Sequence, residues 1–65
     1  MYKNKIKKLR VSKNMTLKQL ADEAEISAGY LSHLENGSRD NPSKEVMERI
    51  SFALDASIAT IFFSK

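Results

Sequence analysis

The chain has 65 residues, a formal net charge of +3 and no cysteine. A chain of this length forms one small domain, and its core is too modest to hold a deep catalytic cavity, so we expect no enzymatic activity. With no cysteine and a single histidine, we expect neither a disulfide framework nor a metal site, and the sequence indicates no cofactor.

The charges are distributed unevenly along the chain. All 8 acidic residues lie at or after Asp22, whereas most cations precede it, namely Lys3, Lys5, Lys7, Lys8, Arg10, Lys13 and Lys18. This asymmetry indicates a basic end that could lie near a polyanion, although a solvated lysine-rich helix would show the same pattern. No apolar run follows the basic N-terminus, so we expect no signal peptide, no membrane span and a cytoplasmic location.

Apolar residues recur at helical spacing, and nothing alternates with period two for long enough to indicate a sheet. The sequence therefore predicts an all-α fold in a single domain, residues 1–65, with helices at about 3–13, 16–24, 27–36, 43–54 and 57–63. Asn14 and the pair Asn36-Gly37 are typical of helix ends.

The second and third predicted helices each carry their own start signal. Thr16 and Gln19 have the spacing of a capping box, and Ser27 is typical of an N-cap, as is Ser43 before the fourth helix. Met15 with Leu20, and Ile26 with Leu31, have hydrophobic-staple spacing. Two short amphipathic helices joined by so tight a turn predict a helix-turn-helix, whose second helix can enter the major groove of DNA.

The third predicted helix has two contrasting faces at about 100° per residue. Leu31 and Leu34 lie on an apolar side that would anchor the helix. The opposite side carries small or polar residues and neither lysine nor arginine. In the major groove, Ser32, His33 and Asn36 can donate or accept hydrogen bonds at base edges, and Ala28 can contact a thymine methyl group.

Because this face lacks cations, affinity for DNA would come mainly from phosphate contacts made elsewhere. The candidates are Thr16, Lys18, Tyr30, Asn36, Ser38, Arg39, Asn41 and Lys44. Each also has an ordinary structural explanation, as a helix cap, a packed ring or a surface charge. Three consecutive apolar residues near the C-terminus, Ile61, Phe62 and Phe63, are candidates for a dimer contact.

Several short motifs together resemble the Xre/Cro-type helix-turn-helix repressors. They are Thr16-Leu-Lys-Gln-Leu-Ala, Ile26-Ser27, Tyr30-Leu-Ser, Leu34-Glu-Asn-Gly37 and Asn41-Pro-Ser43. The resemblance implies a compact five-helix bundle in which the second and third helices read DNA. It implies base contacts from the start and outer face of the third helix, at Ser27, Ala28, Gly29, Ser32 and His33. It also implies an ion pair between Arg10 and Glu35.

The chain departs from this family's pattern at three places. Glu25 occupies a turn position where the family often has glycine, and Leu17 replaces a frequent glutamine that helps to hold DNA. Ser32 and His33 stand where longer polar side chains are common, so sequence specificity would depend more on DNA shape.

We therefore expect a sequence-specific transcriptional regulator, most simply a repressor, that binds double-stranded DNA as a homodimer on a two-fold operator. The sequence shows no small-molecule effector site. The alternative is a protein-binding module of the same fold, an antitoxin or antirepressor, whose third helix docks a partner.

Overall fold

The computed structural model describes residues 4–37 and 42–63. Within these ranges the chain forms four α-helices and one π-helical turn, with no strand. They are α1 (Ile6–Ser12), α2 (Leu17–Glu23), α3 (Ala28–Glu35), α4 (Lys44–Leu54) and the π-helical turn α5 (Ala59–Phe63). Every helix in these ranges is too short or too polar to span a lipid bilayer.

Three of the helices begin at the capping residues that the sequence indicated. The side chains of Thr16, Ser27 and Ser43 accept hydrogen bonds from the backbone amide three residues later. At Thr16 the capping box is complete, with Gln19 Oε1 accepting from the Thr16 amide at 2.8 Å. Each cap satisfies a donor that would otherwise have no partner within its helix, which fixes where α2, α3 and α4 start.

The first helix is shorter than predicted and starts at Ile6. Asn4 Oδ1 accepts from the Ile6 amide at 3.0 Å, and the Lys5 amide donates to the Ile61 carbonyl at 2.8 Å. Asn4 and Lys5 are not helical, and these bonds satisfy amides at the helix start that have no acceptor within α1. Lys3, the predicted first residue of this helix, lies outside the described residues.

The core is assembled from the apolar faces of all five elements. Helix α2 packs against α3 and α4, and α1 packs against α3 and α5. The buried residues are Ile6, Leu20, Ala21, Ala24, Leu31, Leu34, Ile50, Leu54, Ile61 and Phe62. Ala21 of α2 and Ala24, the C-cap residue that follows it, have small side chains, which lets the neighbouring helices approach closely.

The turn between α2 and α3 is tight because one residue adopts a left-handed conformation. Glu25 has a φ of 60°, and the Ile26 amide donates to the Ala21 carbonyl at 3.0 Å. Asn14, Gly37 and Asp55 also have positive φ and follow the ends of α1, α3 and α4. Left-handed residues of this kind end helices because they turn the chain away from the helix axis.

Candidate nucleic-acid interface

Helix α3 is buried on one side and exposed on the other. Leu31 and Leu34 are fully buried, whereas Gly29 and His33 are exposed. A Cβ atom added to Gly29 would meet no other atom within 4 Å. The exposed side of α3 is therefore smooth around Gly29, so another surface can approach the helix backbone closely.

Two of the predicted base-reading residues are less accessible than the sequence suggested. Ala28 was expected on the outer face, but it is half-buried and packs against the core. Ser32 is also half-buried. Both lie within one turn of the buried Leu31, so the outer face of α3 is narrower than a helical projection predicts.

The start of α3 presents a serine hydroxyl that already has one role. Ser27 Oγ accepts from the Tyr30 amide at 3.0 Å, and the Ser27 side chain is exposed. A hydroxyl that accepts from a backbone amide still carries a proton that it can donate. Tyr30, a predicted phosphate contact, is half-buried against the core, so its ring helps to hold α3 in place.

The predicted phosphate contacts on α2 and α4 lie at the surface. Thr16 is the exposed cap of α2, Lys44 is exposed at the first position of α4, and Asn36 is exposed at the end of α3. Lys18 pairs with Asp22 one helical turn away, with Nζ and Oδ2 at 3.1 Å. An exposed pair of this kind contributes little to stability, so Lys18 can exchange its partner for a phosphate at small cost. Ser38, Arg39 and Asn41 lie outside the described residues.

The end of α3 is joined to α1 by a bidentate ion pair. Arg10 Nε donates to Glu35 Oε2 at 2.7 Å, and Arg10 Nη2 donates to Glu35 Oε1 at 3.2 Å. The third nitrogen, Nη1, donates to the Met15 carbonyl at 2.8 Å just before α2. One guanidinium thus connects α1, the α2 start and the α3 end.

A second connection to α3 comes from Asn4, which the sequence analysis did not single out. Asn4 Nδ2 donates to the Leu34 carbonyl at 2.8 Å while its Oδ1 accepts from the Ile6 amide. The bond to the Ile6 amide is that of an Asx turn, in which an asparagine side chain accepts from the backbone two residues later, whereas Lys5 at the N-cap position makes no side-chain cap bond. The bond from Asn4 to the Leu34 carbonyl has no local sequence signal, because it joins residues 30 positions apart.

The proposed dimer residues at the C-terminus separate into two groups. Ile61 and Phe62 are buried in the core, whereas Phe63 is 67% exposed. The expectation that all three form a contact surface is therefore corrected, because side chains that fill the core of one copy cannot also pack against a second copy. Phe63 is the residue of the three that remains at the surface.

Comparison with known proteins places this arrangement in a family. Residues 6–61 match the family model HTH_3, described as helix-turn-helix. The regulator SinR of Bacillus subtilis strain 168, an HTH-type transcriptional regulator, is 36% identical over 61 residues, which are 94% of this chain and 55% of SinR. The chain thus spans about half the length of this curated relative.

Solved structures show the same likeness. A crystal structure of SinR, the master regulator for biofilm formation, in complex with DNA superposes with a TM-score of 0.81 and 38% identity, covering 85% of this chain and 87% of that one. The crystal structure of the clp gene regulator ClgR from Corynebacterium glutamicum superposes with a TM-score of 0.77 and 39% sequence identity, covering 83% of this chain and 56% of that one. These similarities, with the capped α2–turn–α3 unit, show that the chain belongs to the Xre-type helix-turn-helix family.

Proposed function

We propose that this chain is a DNA-binding transcriptional regulator, acting as a repressor and without catalytic activity, that inserts α3 into the major groove. The observation that carries the proposal is the exposed flank of α3 around Gly29 and His33, which has no bulky or charged side chain at its centre. The SinR structure in complex with DNA supports it, since that domain shares this fold and 38% of its sequence.

The base contacts of this proposal come from the start and outer face of α3. His33 and the Ser27 hydroxyl are exposed and can donate or accept at base edges. Gly29 lets the backbone of α3 approach the bases closely. Ser32 and the methyl group of Ala28 contact the bases from the edges of the exposed face of α3. With so few long polar side chains, discrimination also relies on the sequence-dependent shape of the DNA.

The phosphate contacts flank α3 on both sides. Thr16 and Lys18 lie at the start of α2, Asn36 ends α3, and Lys44 begins α4. Positively charged and amide or hydroxyl groups at helix ends are the usual contacts to the DNA backbone. Tyr30 completes the set, together with Ser38, Arg39 and Asn41, which are proposed from the sequence alone.

The operator of this proposal is two-fold symmetric and is bound by two copies. In helix-turn-helix dimers the two recognition helices enter successive major grooves about 34 Å apart. The exposed ring of Phe63 is the contact that we propose between the copies. Apolar rings at the surface of a small domain gain free energy when a partner covers them.

Selection of bound duplexes from a random pool tests this function directly. We expect an enriched sequence with two-fold symmetry, and affinity for it that falls steeply as salt rises, with a log–log slope of about −0.9 per neutralised phosphate. A pool that yields no enriched sequence, together with a flat salt dependence, would contradict the proposal.

A protein partner docked on the same flank is the second candidate. The feature that favours it is the absence of lysine and arginine from residues 28–36, since most DNA-reading helices carry long cationic or amide side chains. Under this alternative, variants of His33 would weaken capture of the partner protein and leave DNA affinity unchanged.

A further inference from the structure

Phe52 is the most exposed of the large apolar side chains that the structure describes. It lies on α4, and 89% of its surface is accessible. It lines an open groove of about 450 Å³ between the end of α2 and α4, whose other walls are Glu23, Glu25, Glu45, Glu48 and Arg49. We call this surface the Phe52 groove.

The Phe52 groove is strongly negative. Four of its lining residues are glutamates and one is arginine. Arg49 Nη2 lies 3.3 Å from Glu45 Oε2 and compensates that carboxylate. Among the described residues, Glu23, Glu25 and Glu48 form no ion pair. An apolar ring surrounded by carboxylates is complementary to a surface with an apolar centre and a basic rim.

Helix α1 of the same chain presents such a surface. Val11 is 55% exposed, and Lys7 and Lys8 are exposed one turn earlier. Residues three and four apart share a helix face, so these three side chains form one patch with an apolar centre and a basic rim. We call it the α1 patch. Neither lysine is needed for the DNA contacts proposed above.

The two surfaces lie on different parts of the molecule. Helix α1 packs against α3 and α5, whereas the Phe52 groove is formed by α4 and the end of α2. One copy can therefore present its α1 patch to a second copy while its own groove stays open to a third.

We propose that copies of this chain associate head to tail, with the α1 patch of one copy seated in the Phe52 groove of the next. A symmetric dimer through either surface would place carboxylates against carboxylates or lysines against lysines, which is unfavourable. The head-to-tail contact instead pairs Lys7 and Lys8 with Glu48 and its neighbours, and it covers Val11 and Phe52. Such a contact is heterologous, so it adds copies in a line or closes into a ring, according to the rotation between neighbouring copies.

This inference does not depend on DNA binding, so it is tested on the free protein. The two surfaces each contain one exposed apolar side chain, so we expect a weak contact that forms at about 0.1–1 mM protein in low salt. The test uses two variants that each lose one surface. Val11→Ser keeps the groove and loses the α1 patch, and Phe52→Ser keeps the patch and loses the groove.

Residue-resolved NMR separates the possible contacts. Mixing ¹⁵N-labelled Val11→Ser with unlabelled Phe52→Ser should shift the amide signals of the groove, at Glu25 and along residues 45–52. Reversing the labels should shift the amides of residues 7–11. Either variant alone should show neither change with concentration. Both side chains are exposed, so both variants should keep the wild-type thermal unfolding curve.

Two results would overturn the proposal. One is the absence of groove shifts in the mixture at about 1 mM protein in low salt. The other is concentration-dependent groove shifts in Val11→Ser alone, which would indicate a symmetric contact. Ala59→Ser is the control, because Ala59 is exposed on α5 outside both surfaces and its change should leave the concentration-dependent shifts of the wild type at residues 7–11 and 45–52 unchanged.

Charge reversal gives an independent readout. Glu48→Lys and Lys8→Glu should each weaken self-association, and a chain that carries both changes should recover part of it, because its reversed patch then meets a reversed groove on the next copy. Raising the salt from about 20 mM to about 500 mM should weaken wild-type association severalfold, since the Debye length then falls well below the size of the contact. Failure of the double variant to recover association would contradict the pairing of these two residues.

Discussion

Arg10 and Glu35 form a nearly buried bidentate ion pair that ties α1 to the end of α3. Their side chains are only 13% and 7% exposed, and the shorter of the two bonds is 2.7 Å. Because Glu35 is the last residue of α3, this pair fixes the angle at which the exposed flank of α3 leaves the protein body.

Removing one partner of this pair should destabilise the domain severely. Glu35→Ala leaves a largely buried guanidinium without its carboxylate, and we expect a loss of about 3 kcal/mol in the free energy of unfolding, measured by urea titration. Arg10→Met should cost at least as much, because it also leaves the Met15 carbonyl without its donor. The matched control is Lys18→Met, which breaks an exposed pair and should cost well under about 1 kcal/mol. Equal losses at all three positions would show that the burial of the Arg10–Glu35 pair is irrelevant.

Glu25→Gly should stabilise the fold. Glu25 has a φ of 60°, and a residue with a Cβ atom in this region costs on the order of 1 kcal/mol relative to glycine. We expect the free energy of unfolding to rise by up to about this amount, partly offset by the greater flexibility of glycine in the unfolded chain. Glu25→Ala is the control, since it removes the carboxylate and keeps the strain. A gain for alanine as large as for glycine would locate the effect in charge rather than in the backbone.

The features that local sequence chemistry determines were predictable. The caps at Thr16, Ser27 and Ser43 depend on bonds between residues three apart, and the left-handed residues Asn14 and Gly37 depend on their own backbone preferences. These local signals predicted both ends of α2, α3 and α4 to within one residue of those in the structure.

The remaining features depend on contacts between distant residues. The true start of α1 follows from the bond between Lys5 and Ile61, and the support of α3 by Asn4 spans 30 positions. The partial burial of Ala28 depends on how α3 lies against its neighbours, which a helical projection of α3 alone does not contain. The burial of both Ile61 and Phe62 likewise depends on how the π-helical turn α5 packs against α1.

Gly29→Ala should separate stability from binding. Alanine is the better helix former, and its Cβ would lie in open space, so the free energy of unfolding should rise by about 0.5 kcal/mol. The same methyl group would stand on the flank that we propose approaches the bases, so DNA affinity should fall. Thermal unfolding and a DNA titration of the same preparation measure both effects. A variant that is more stable and binds DNA unchanged would show that Gly29 is not at the interface.

His33→Ala and Lys44→Ala should affect DNA binding in different ways. Loss of a base contact at His33 should cost about 1 kcal/mol or more on the selected operator and should relax preference at one or two positions. Loss of a phosphate contact at Lys44 should weaken binding to all sequences alike and reduce the salt slope by about one. Both residues are exposed, so neither change should alter the unfolding curve. The proposed set of contacts would be wrong if both variants bound the operator and unrelated DNA as the wild type does.

Phe63→Ser should weaken cooperative binding to a two-fold operator without weakening the fold. Phe63 is 67% exposed, whereas the neighbouring Phe62 is 4% exposed, so the two rings contribute to different properties. Phe62→Ala should cost about 3 kcal/mol or more in the free energy of unfolding, because it leaves a cavity in a small core. Phe63→Ser should leave stability unchanged and reduce affinity for the full operator more than for a single half-site, measured by titration of both duplexes. If the two duplexes lose affinity equally, Phe63 does not join the two copies, and the contact between them lies elsewhere.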